Sequence, residues 1–434
     1  MKPNVRLDRN IIGVHVDQVV HLMLELTAPD APPTGRAPID LVLVLDRSGS
    51  MSGDPLRAVR EAAARVIRTM GPDDRVAVVA FDDEVSLVLP LARHIGSAES
   101  VTAVRQIRSG GSTNLSGGWL KGFELLGSNP RPEAVRRIVL LTDGHANAGL
   151  RSIDELGPIV RDACGQGITT SCIGFGEGHD ERFLTGLADS GGGDDYWCEG
   201  PDQANAVFAN ELGLLAAVVA QNLSVEIRPT AMVAAYEVLN EFPITEVQGG
   251  VQVSLGDAVG GEQRRVVAKM HLRPAASLGD VHVADLVIRW VSTVGDLEMH
   301  TVTVPVRITA GDGQVVLDEG VAEEIVRLGV ARERREAQEA ADRGDFSTAA
   351  GLLRSSAVMA RGFASLSADA DLLDAQAIRM EQGDWSEIDK KRSYIESRRL
   401  HKGRKKEFST YTEPSEPSQP SDPSQQDPDD QSPS

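Results

Sequence analysis

The aliphatic stretch Ile39-Asp40-Leu41-Val42-Leu43-Val44-Leu45 is followed directly by the polar stretch Asp46-Arg47-Ser48-Gly49-Ser50, and together they decide the fold. A near-continuous aliphatic run is typical of a strand that is buried on both faces, at the centre of a parallel sheet. In such sheets the ligand-binding groups lie at the carboxyl ends of the strands. The polar stretch places one carboxylate and two hydroxyls there. Hard oxygen ligands of this kind suit Mg²⁺ before Ca²⁺.

Two further segments supply polar groups of the same kind. Thr113 lies in the loop Gly110-Gly111-Ser112-Thr113-Asn114-Leu115, and Asp143 follows the strand-like run Arg137-Ile138-Val139-Leu140-Leu141-Thr142. Ser, Thr and Asp are also common turn and cap residues after strands, so accidental loop chemistry is the alternative interpretation of each single motif. The sequence predicts a metal site made of five side chains: Asp46, Ser48, Ser50, Thr113 and Asp143.

The order of these motifs resembles the metal-ion-dependent adhesion site of the von Willebrand factor A family. That site has the pattern Asp-x-Ser-x-Ser, then a loop threonine, then Thr-Asp-Gly at the end of a strand, and all three occur here in this order. The resemblance extends from about Pro38 to Leu223. It implies an α/β fold with a doubly wound, mostly parallel sheet.

The resemblance also implies how such a site works. In this family the two serines bind the ion directly, the aspartates act partly through water, and the threonine joins when a partner is engaged. A Glu or Asp side chain of the partner then fills the open coordination position. We therefore expect Mg²⁺ as the cofactor, with Mn²⁺ or Ca²⁺ as the other candidates. The expected partner is a protein that offers a Glu or Asp carboxylate.

A metal-dependent hydrolase or phosphotransferase is the alternative from another functional class. Haloacid dehalogenase enzymes also place an aspartate after a central strand, but they carry a second aspartate two residues later as general acid. Here that position is Ser48, which cannot supply the proton at neutral pH. We predict that the protein is not an enzyme and assign no catalytic residue. A third interpretation is an accessory subunit of an ATPase or signalling complex that does not use its metal site.

Composition limits the other functional classes. The chain has 434 residues, 41% of them hydrophobic, which is enough for two or three domains. Its formal net charge of −20 disfavours nucleic-acid binding. Three cysteines suit reduced thiols in a cytoplasmic protein, and the first residues lack the apolar core of a signal peptide. No transmembrane segment is expected, so the prediction is a cytoplasmic, bacterial-type protein.

Changes of pattern along the chain predict five regions. Residues 37–221 alternate strands and helices, as in an α/β domain. Residues 222–311 have alternating strand patterns separated by glycine-rich turns, which indicates a β-sandwich. The segment 1–36 includes a strand-like run that we expect to dock on this sandwich. Residues 317–406 are predicted to be helical, and residues 409–434, rich in Ser, Pro and acid, to be a disordered tail.

Three charged features have both a functional and a structural interpretation. Asp82 and Asp83 follow a strand and are candidates for an auxiliary cation site, although a solvated turn is the favoured prediction. His145 is expected to face solvent rather than to take part in chemistry. The basic cluster from Lys390-Lys391-Arg392 to Arg404-Lys405-Lys406 is predicted to be a solvated helix end, neutralised by the acidic tail, rather than a surface for nucleic acid or acidic lipid.

Overall fold

The structure of the protein is a computed structural model. It describes residues 1–401 apart from 33, 34, 132, 177, 296 and 384, and for 387, 388, 396 and 399–401 it describes the backbone. The predicted acidic tail and the second half of the basic cluster lie outside the described residues. Three strands come first in the chain: β1 (Lys2–Leu7), β2 (Ile11–Ile12) and β3 (Gln18–Thr27).

Strands and helices then alternate as far as residue 216. In chain order these elements are β4 (Ile39–Asp46), α1 (Asp54–Thr69), β5 (Arg75–Phe81), β6 (Val85–Ala92), α2 (Ala98–Arg105), α3 (Leu115–Ser128), β7 (Val135–Thr142), α4 (Ile153–Gly165), β8 (Ile168–Phe175), α5 (Glu181–Ser190), β9 (Gly192–Cys198) and α6 (Pro201–Ala216). The six strands form one sheet in the order β6-β5-β4-β7-β8-β9. β6 pairs antiparallel with β5, and the other pairings are parallel.

The sequence of β4 explains why this sheet carries helices on both faces. Every residue of β4 is buried, as its aliphatic run predicts. Because successive side chains of a strand point to opposite faces, the strand contributes to two cores. Leu41, Leu43 and Leu45 pack in the cluster that includes α1 and α6. Val42 and Val44 pack in the cluster that includes α3, α4 and α5. The predicted α/β fold is confirmed.

Two further sheets share another hydrophobic cluster. Their remaining strands are β10 (Val218–Pro229), β11 (Val233–Val238), β12 (Ile244–Val247), β13 (Gly250–Val259), β14 (Gln263–Leu272), β15 (Gly279–Ser292) and β16 (Glu298–Ala310). The strand orders are β1-β3-β14-β11 and β12-β13-β10-β15-β16-β2. Leu24 of β3 and Val225 of β10 both belong to the shared cluster, so the two sheets pack on one core. Strand β3 pairs with β14 along its whole length.

A buried ion network joins the α/β region to the sheet that contains β13. Arg137 of β7 is 4% exposed, and its Nη2 donates to Asp257 Oδ2 of β13 at 2.8 Å. Its Nη1 lies 3.3 Å from Glu211 Oε1 of α6. Tyr196 OH also donates to Glu211. If the two regions separated, Arg137 and Asp257 would lose each other as partners. A buried charge without its partner is costly, so the network favours the contact between the two regions.

Within the described residues, four α-helices follow the sheets: α7 (Glu319–Asp342), α8 (Phe346–Ala360), α9 (Ser367–Glu381) and α10 (Glu387–His401). Helix α7 packs on the four-stranded sheet, where Arg265 Nη1 donates to Glu324 Oε2 at 2.6 Å. Across the part of the chain that the structure describes, no helix is both long and apolar enough to cross a membrane.

Helix α10 returns to the α/β region and packs beside α5. Lys391 is 4% exposed, and its Nζ donates to Glu181 Oε2 and to the carbonyl of His179, both at 2.9 Å. Arg398 Nη2 pairs with Asp189 Oδ1 at 2.7 Å. The prediction of a solvated helix end is therefore wrong for Lys391 and Arg398 of the basic cluster. Its cations are compensated by acids of the folded chain, which are about two hundred residues away in sequence.

Candidate metal centre

The candidate site lies where β4 and β7 end. The two strands are adjacent and parallel, with Leu45 paired to Leu141, so the residues that follow them meet at one edge of the sheet. We call this side the carboxyl edge. After β4 the chain makes a short 3₁₀ turn at Gly49–Met51, which turns Ser50 toward the neighbouring strand end.

Three of the predicted ligands are in direct contact at the carboxyl edge. Ser50 Oγ donates to Asp143 Oδ1 at 2.8 Å, and the hydroxyl oxygens of Ser48 and Ser50 are 3.1 Å apart. Ser48 is buried, whereas Ser50 is exposed and Asp143 is half-buried. The cluster is thus anchored on the buried side and open to solvent at Ser50.

Asp46 lies beneath this cluster and is fully buried. Its Oδ1 accepts a hydrogen bond from Ser48 N at 2.7 Å, and its Oδ2 accepts one from Thr142 Oγ1 at 2.5 Å. Burial raises the pKa of Asp46 to about 6, although these hydrogen bonds oppose the shift. Burial also raises the pKa of Asp143, and the hydrogen bond from Ser50 opposes that shift. Both carboxylates are therefore held by neutral donors.

Thr113 is joined to the site through its backbone. Its carbonyl accepts hydrogen bonds from Asn147 N at 2.9 Å and Ala148 N at 3.1 Å, in the loop that follows Asp143. On the other side Gly49 N donates to Gly111 O at 3.0 Å. The threonine loop is therefore hydrogen-bonded to the loops that carry the other four residues, and Thr113 itself is buried.

The donor atoms at this edge fit a hard divalent cation. Among the residues that the structure covers, no group of three or more His, Cys, Asp or Glu side chains is placed to hold a metal. The five candidate ligands are instead three residues with hydroxyls, Ser48, Ser50 and Thr113, and two with carboxylates, Asp46 and Asp143. Oxygen ligands of these types suit Mg²⁺ and Ca²⁺ rather than metals that prefer thiolate or imidazole. A buried carboxylate whose pKa is raised by burial also gains most from a cation nearby.

Asp82 is a residue of this edge that sequence reasoning interpreted incorrectly. It is 4% exposed, so the prediction of a solvated turn is wrong for it, while the neighbouring Asp83 is exposed. Asp82 is buried because its carboxylate accepts hydrogen bonds from Arg47 Nη2 at 3.1 Å and from Gly111 N at 3.2 Å. The glycine pair at 110–111 was the available signal, because a Cβ at either position would overlap a carboxylate of Asp82 or Asp83.

Other polar residues near the site have structural explanations. The side chain of His145 is 66% exposed, and its Nδ1 lies 3.5 Å from Asp180 Oδ2, so it faces solvent as predicted. Cys172 and Cys198 are buried, Cys164 is partly buried, and none of the three is in a disulfide. Burial raises the pKa of Cys164 and of Cys198 to about 12, so both stay protonated at neutral pH.

Comparisons with known proteins agree with this architecture. Residues 40–208 match the von Willebrand factor type A domain family. An uncharacterized protein of Synechocystis sp. is 28% identical over 376 residues, which cover 84% of this chain and 88% of that protein. The E3 ubiquitin-protein ligase WAV3 of Arabidopsis thaliana is 31% identical over 257 residues, which cover 56% of this chain and 32% of that ligase.

A solved structure extends the likeness beyond the matched domain. The von Willebrand factor type A protein from Catenulispora acidiphila has a TM-score of 0.70 with this chain at 18% sequence identity. The aligned part covers 86% of this chain and 88% of that one, so the similarity of fold extends beyond residues 40–208. The residues that match the von Willebrand factor type A domain family, 40–208, include the edge that carries the candidate site.

Proposed function

We propose that this protein binds a protein partner through a divalent cation, preferably Mg²⁺, held at the carboxyl edge. The residues that would hold it are Asp46, Ser48, Ser50, Thr113 and Asp143. The contact between Ser50 Oγ and Asp143 Oδ1 carries the proposal, because it joins oxygens 93 residues apart in sequence at 2.8 Å. Von Willebrand factor type A domains often mediate protein interactions, and this chain contains such a domain.

The candidate ligands would have different roles in such a site. When bound, the ion would supply a positive charge that attracts an anionic group of the partner. Three of the five candidate ligands are neutral hydroxyls, so they offset less of that charge than carboxylates would. Ser50 is exposed, which leaves the cluster accessible to a Glu or Asp side chain of the partner. Asp46 is fixed in orientation by Thr142 and by the backbone of Ser48.

Binding is favoured over catalysis by the surroundings of the cluster. His145 is two residues beyond Asp143, but its ring is largely exposed and faces Asp180 rather than the serines. It is therefore not held as a general base for a reaction at this edge. Ser48 occupies the position where a phosphotransferase of the type considered above would need a second carboxylate.

We further infer that strands β1–β3 and β10–β16 form a β-sandwich that supports the metal-binding domain. Its two sheets share one hydrophobic cluster. Arg137 links it to the domain through Asp257. In this arrangement the carboxyl edge is presented by a scaffold and not by an isolated domain.

Calorimetric titration of the full chain with Mg²⁺ and Mn²⁺ tests the metal site. We expect wild type to bind and Asp46→Ala to lose binding while remaining folded. Asp83→Ala is the matched control, because Asp83 is an exposed aspartate close to the same loops. Equal affinities for wild type and Asp46→Ala would overturn the proposal.

Partner capture from native lysate tests the second half of the proposal. A protein that is retained by the wild-type chain in Mg²⁺ should be released by EDTA, and Asp46→Ala should not retain it. A partner that remains bound in EDTA would show that recognition does not use the ion, and the accessory-subunit interpretation would replace this one.

A further inference from the structure

Asp82 contacts both loops that carry the hydroxyl ligands, although it is not itself a candidate ligand. It follows β5, the neighbour of β4 in the sheet. Its Oδ1 accepts from Arg47 Nη2 at 3.1 Å and from Glu84 N at 2.9 Å, and its Oδ2 accepts from Gly111 N at 3.2 Å. Each carboxylate oxygen therefore has at least one donor.

The donors to Asp82 are neighbours of the candidate ligands. Arg47 lies between Asp46 and Ser48, and Gly111 is two residues before Thr113. The backbone of Asp82 adds a third connection, because its carbonyl accepts from Asn114 N at 2.8 Å. One buried residue thus holds the segment on each side of Thr113 and the segment between the first two ligands.

The shape of the threonine loop depends on this carboxylate. A Cβ at Gly110 would overlap Asp82 Oδ2, so the loop passes directly over the oxygen. In addition, Gly110 N donates to Arg47 O at 2.8 Å. The side chain of Asp82 is 6% exposed and that of Arg47 is 21% exposed, so their ion pair is shielded from solvent on the carboxylate side.

We propose that Asp82 is a positioning residue of the metal centre, which holds the loop of Thr113 against the loop of Ser48 and Ser50. The inference rests on the proposed function of this edge. The charge of Asp82 matters because every contact of its two carboxylate oxygens given above is with a donor. An asparagine at this position keeps the size but presents an amide N–H₂ to one of those donors.

Titration of the full chain with Mn²⁺ alone, followed by electron paramagnetic resonance, tests the role of Asp82. Asp82→Asn should weaken Mn²⁺ binding about 10-fold, the lower end of the effect of residues that orient metal ligands. Asp83→Asn is the matched control, since it removes the same charge from the adjacent exposed residue. It should leave the affinity close to that of wild type, and the difference between the two variants excludes a long-range effect of charge.

A double-mutant cycle with Thr113→Ala separates positioning from general support of the fold. If Asp82 acts through the threonine loop, Asp82→Asn should weaken Mn²⁺ binding less in the Thr113→Ala background than in wild type. Equal losses in both backgrounds would contradict the positioning role. If Asp82→Asn does not fold, Arg47→Gln replaces it in the cycle. This variant removes the hydrogen bond from Arg47 Nη2 to Asp82 Oδ1 and leaves Asp82 in place.

The outcomes also separate this inference from the proposed function. A wild-type chain that does not bind Mn²⁺ would overturn both. If the wild-type chain binds Mn²⁺ and Asp82→Asn binds it equally tightly, only the positioning role of Asp82 is overturned.

Discussion

The buried carboxylates Asp40 and Asp46, near the two ends of β4, have different kinds of partner. At the edge where β4 begins, Asp40 is fully buried, and it is paired with Arg75 and with Arg131. Asp74 beside it is paired with Arg36. At the carboxyl edge, Asp46 is equally buried, and its hydrogen-bond partners are a hydroxyl and a backbone amide.

This difference appears in the pKa values of the two edges. Burial would raise the pKa of Asp74, but hydrogen bonds from Arg36 and from backbone amides outweigh it, and the pKa is lowered. Burial raises the pKa of Asp46 to about 6. The hydrogen bonds to Asp46 come from neutral donors and do not outweigh this effect. Because no arginine is among the hydrogen-bond partners of Asp46 given above, its carboxylate is suited to a cation from solution.

The largest expected effect is at the edge that has its own cations. Asp40→Asn leaves Arg75 and Arg131 close together and partly buried with a neutral partner. We expect this to lower the free energy of unfolding by about 3–5 kcal/mol. Urea unfolding of the full chain in EDTA at pH 7.5 measures it. A loss no larger than that of an average surface substitution would remove the contrast between the edges.

The same substitution at the carboxyl edge should have the opposite sign. In the metal-free protein the raised pKa of Asp46 means that the unfolded state loses its proton first as the pH rises. Stability is therefore lost between about pH 4 and pH 6 and stays lower above pH 6, by about 3 kcal/mol. Asp46→Asn should remove this loss. The test is the free energy of unfolding of wild type and Asp46→Asn in EDTA at pH 4.5 and pH 7.5. If it changes by the same amount in both proteins, the raised pKa of Asp46 is contradicted.

Adding Mg²⁺ should increase the free energy of unfolding of the wild-type chain. Mg²⁺ at 100 times its dissociation constant should stabilise the folded chain by about 2.7 kcal/mol, because it binds the folded state and not the unfolded one. Asp46→Asn should show no such gain. Repeating the unfolding series with Mg²⁺ in place of EDTA measures this, with Asp83→Asn as the variant that should behave like wild type.

The smallest effect is expected at Thr113. Four of the five candidate ligands remain in Thr113→Ala, so the loss of ion affinity should be about 0.5–1.5 kcal/mol. Thr113→Ser keeps the hydroxyl and should bind like wild type. Calorimetry with Mn²⁺ resolves the three forms. If Thr113→Ala and wild type bind the ion and the captured partner equally, the threonine loop has no part in the site.

Local patterns were sufficient for the elements that build the edge. The aliphatic run before Asp46 and the one before Asp143 each predicted a buried strand, and parallel pairing of neighbouring strands then places their ends together. Ser50 and Asp143 are in contact for this reason.

Contacts between distant segments could not be predicted from pattern. Asp82 was interpreted as part of a solvated turn because acidic pairs after strands usually are, and its burial depends on Arg47 and Gly111 arriving from two other segments. Lys391 was interpreted as a solvated cation because runs of charged residues on a helix usually face solvent. Its partner Glu181 is 210 residues away, and a helix that is strongly basic in sequence gives no indication of which acids it meets.

The ion network around Arg137 makes the region at 40–208 difficult to transfer to another protein. Arg137 lies on the strand that ends before Asp143, yet one of its two carboxylate partners, Asp257, belongs to another sheet. An excised domain would carry this guanidinium into solvent or into a new neighbour without half of its compensation. The region at 40–208 is therefore not an independent module. A chimera that exchanges it must exchange Asp257 with it, or first replace Arg137 by an uncharged residue.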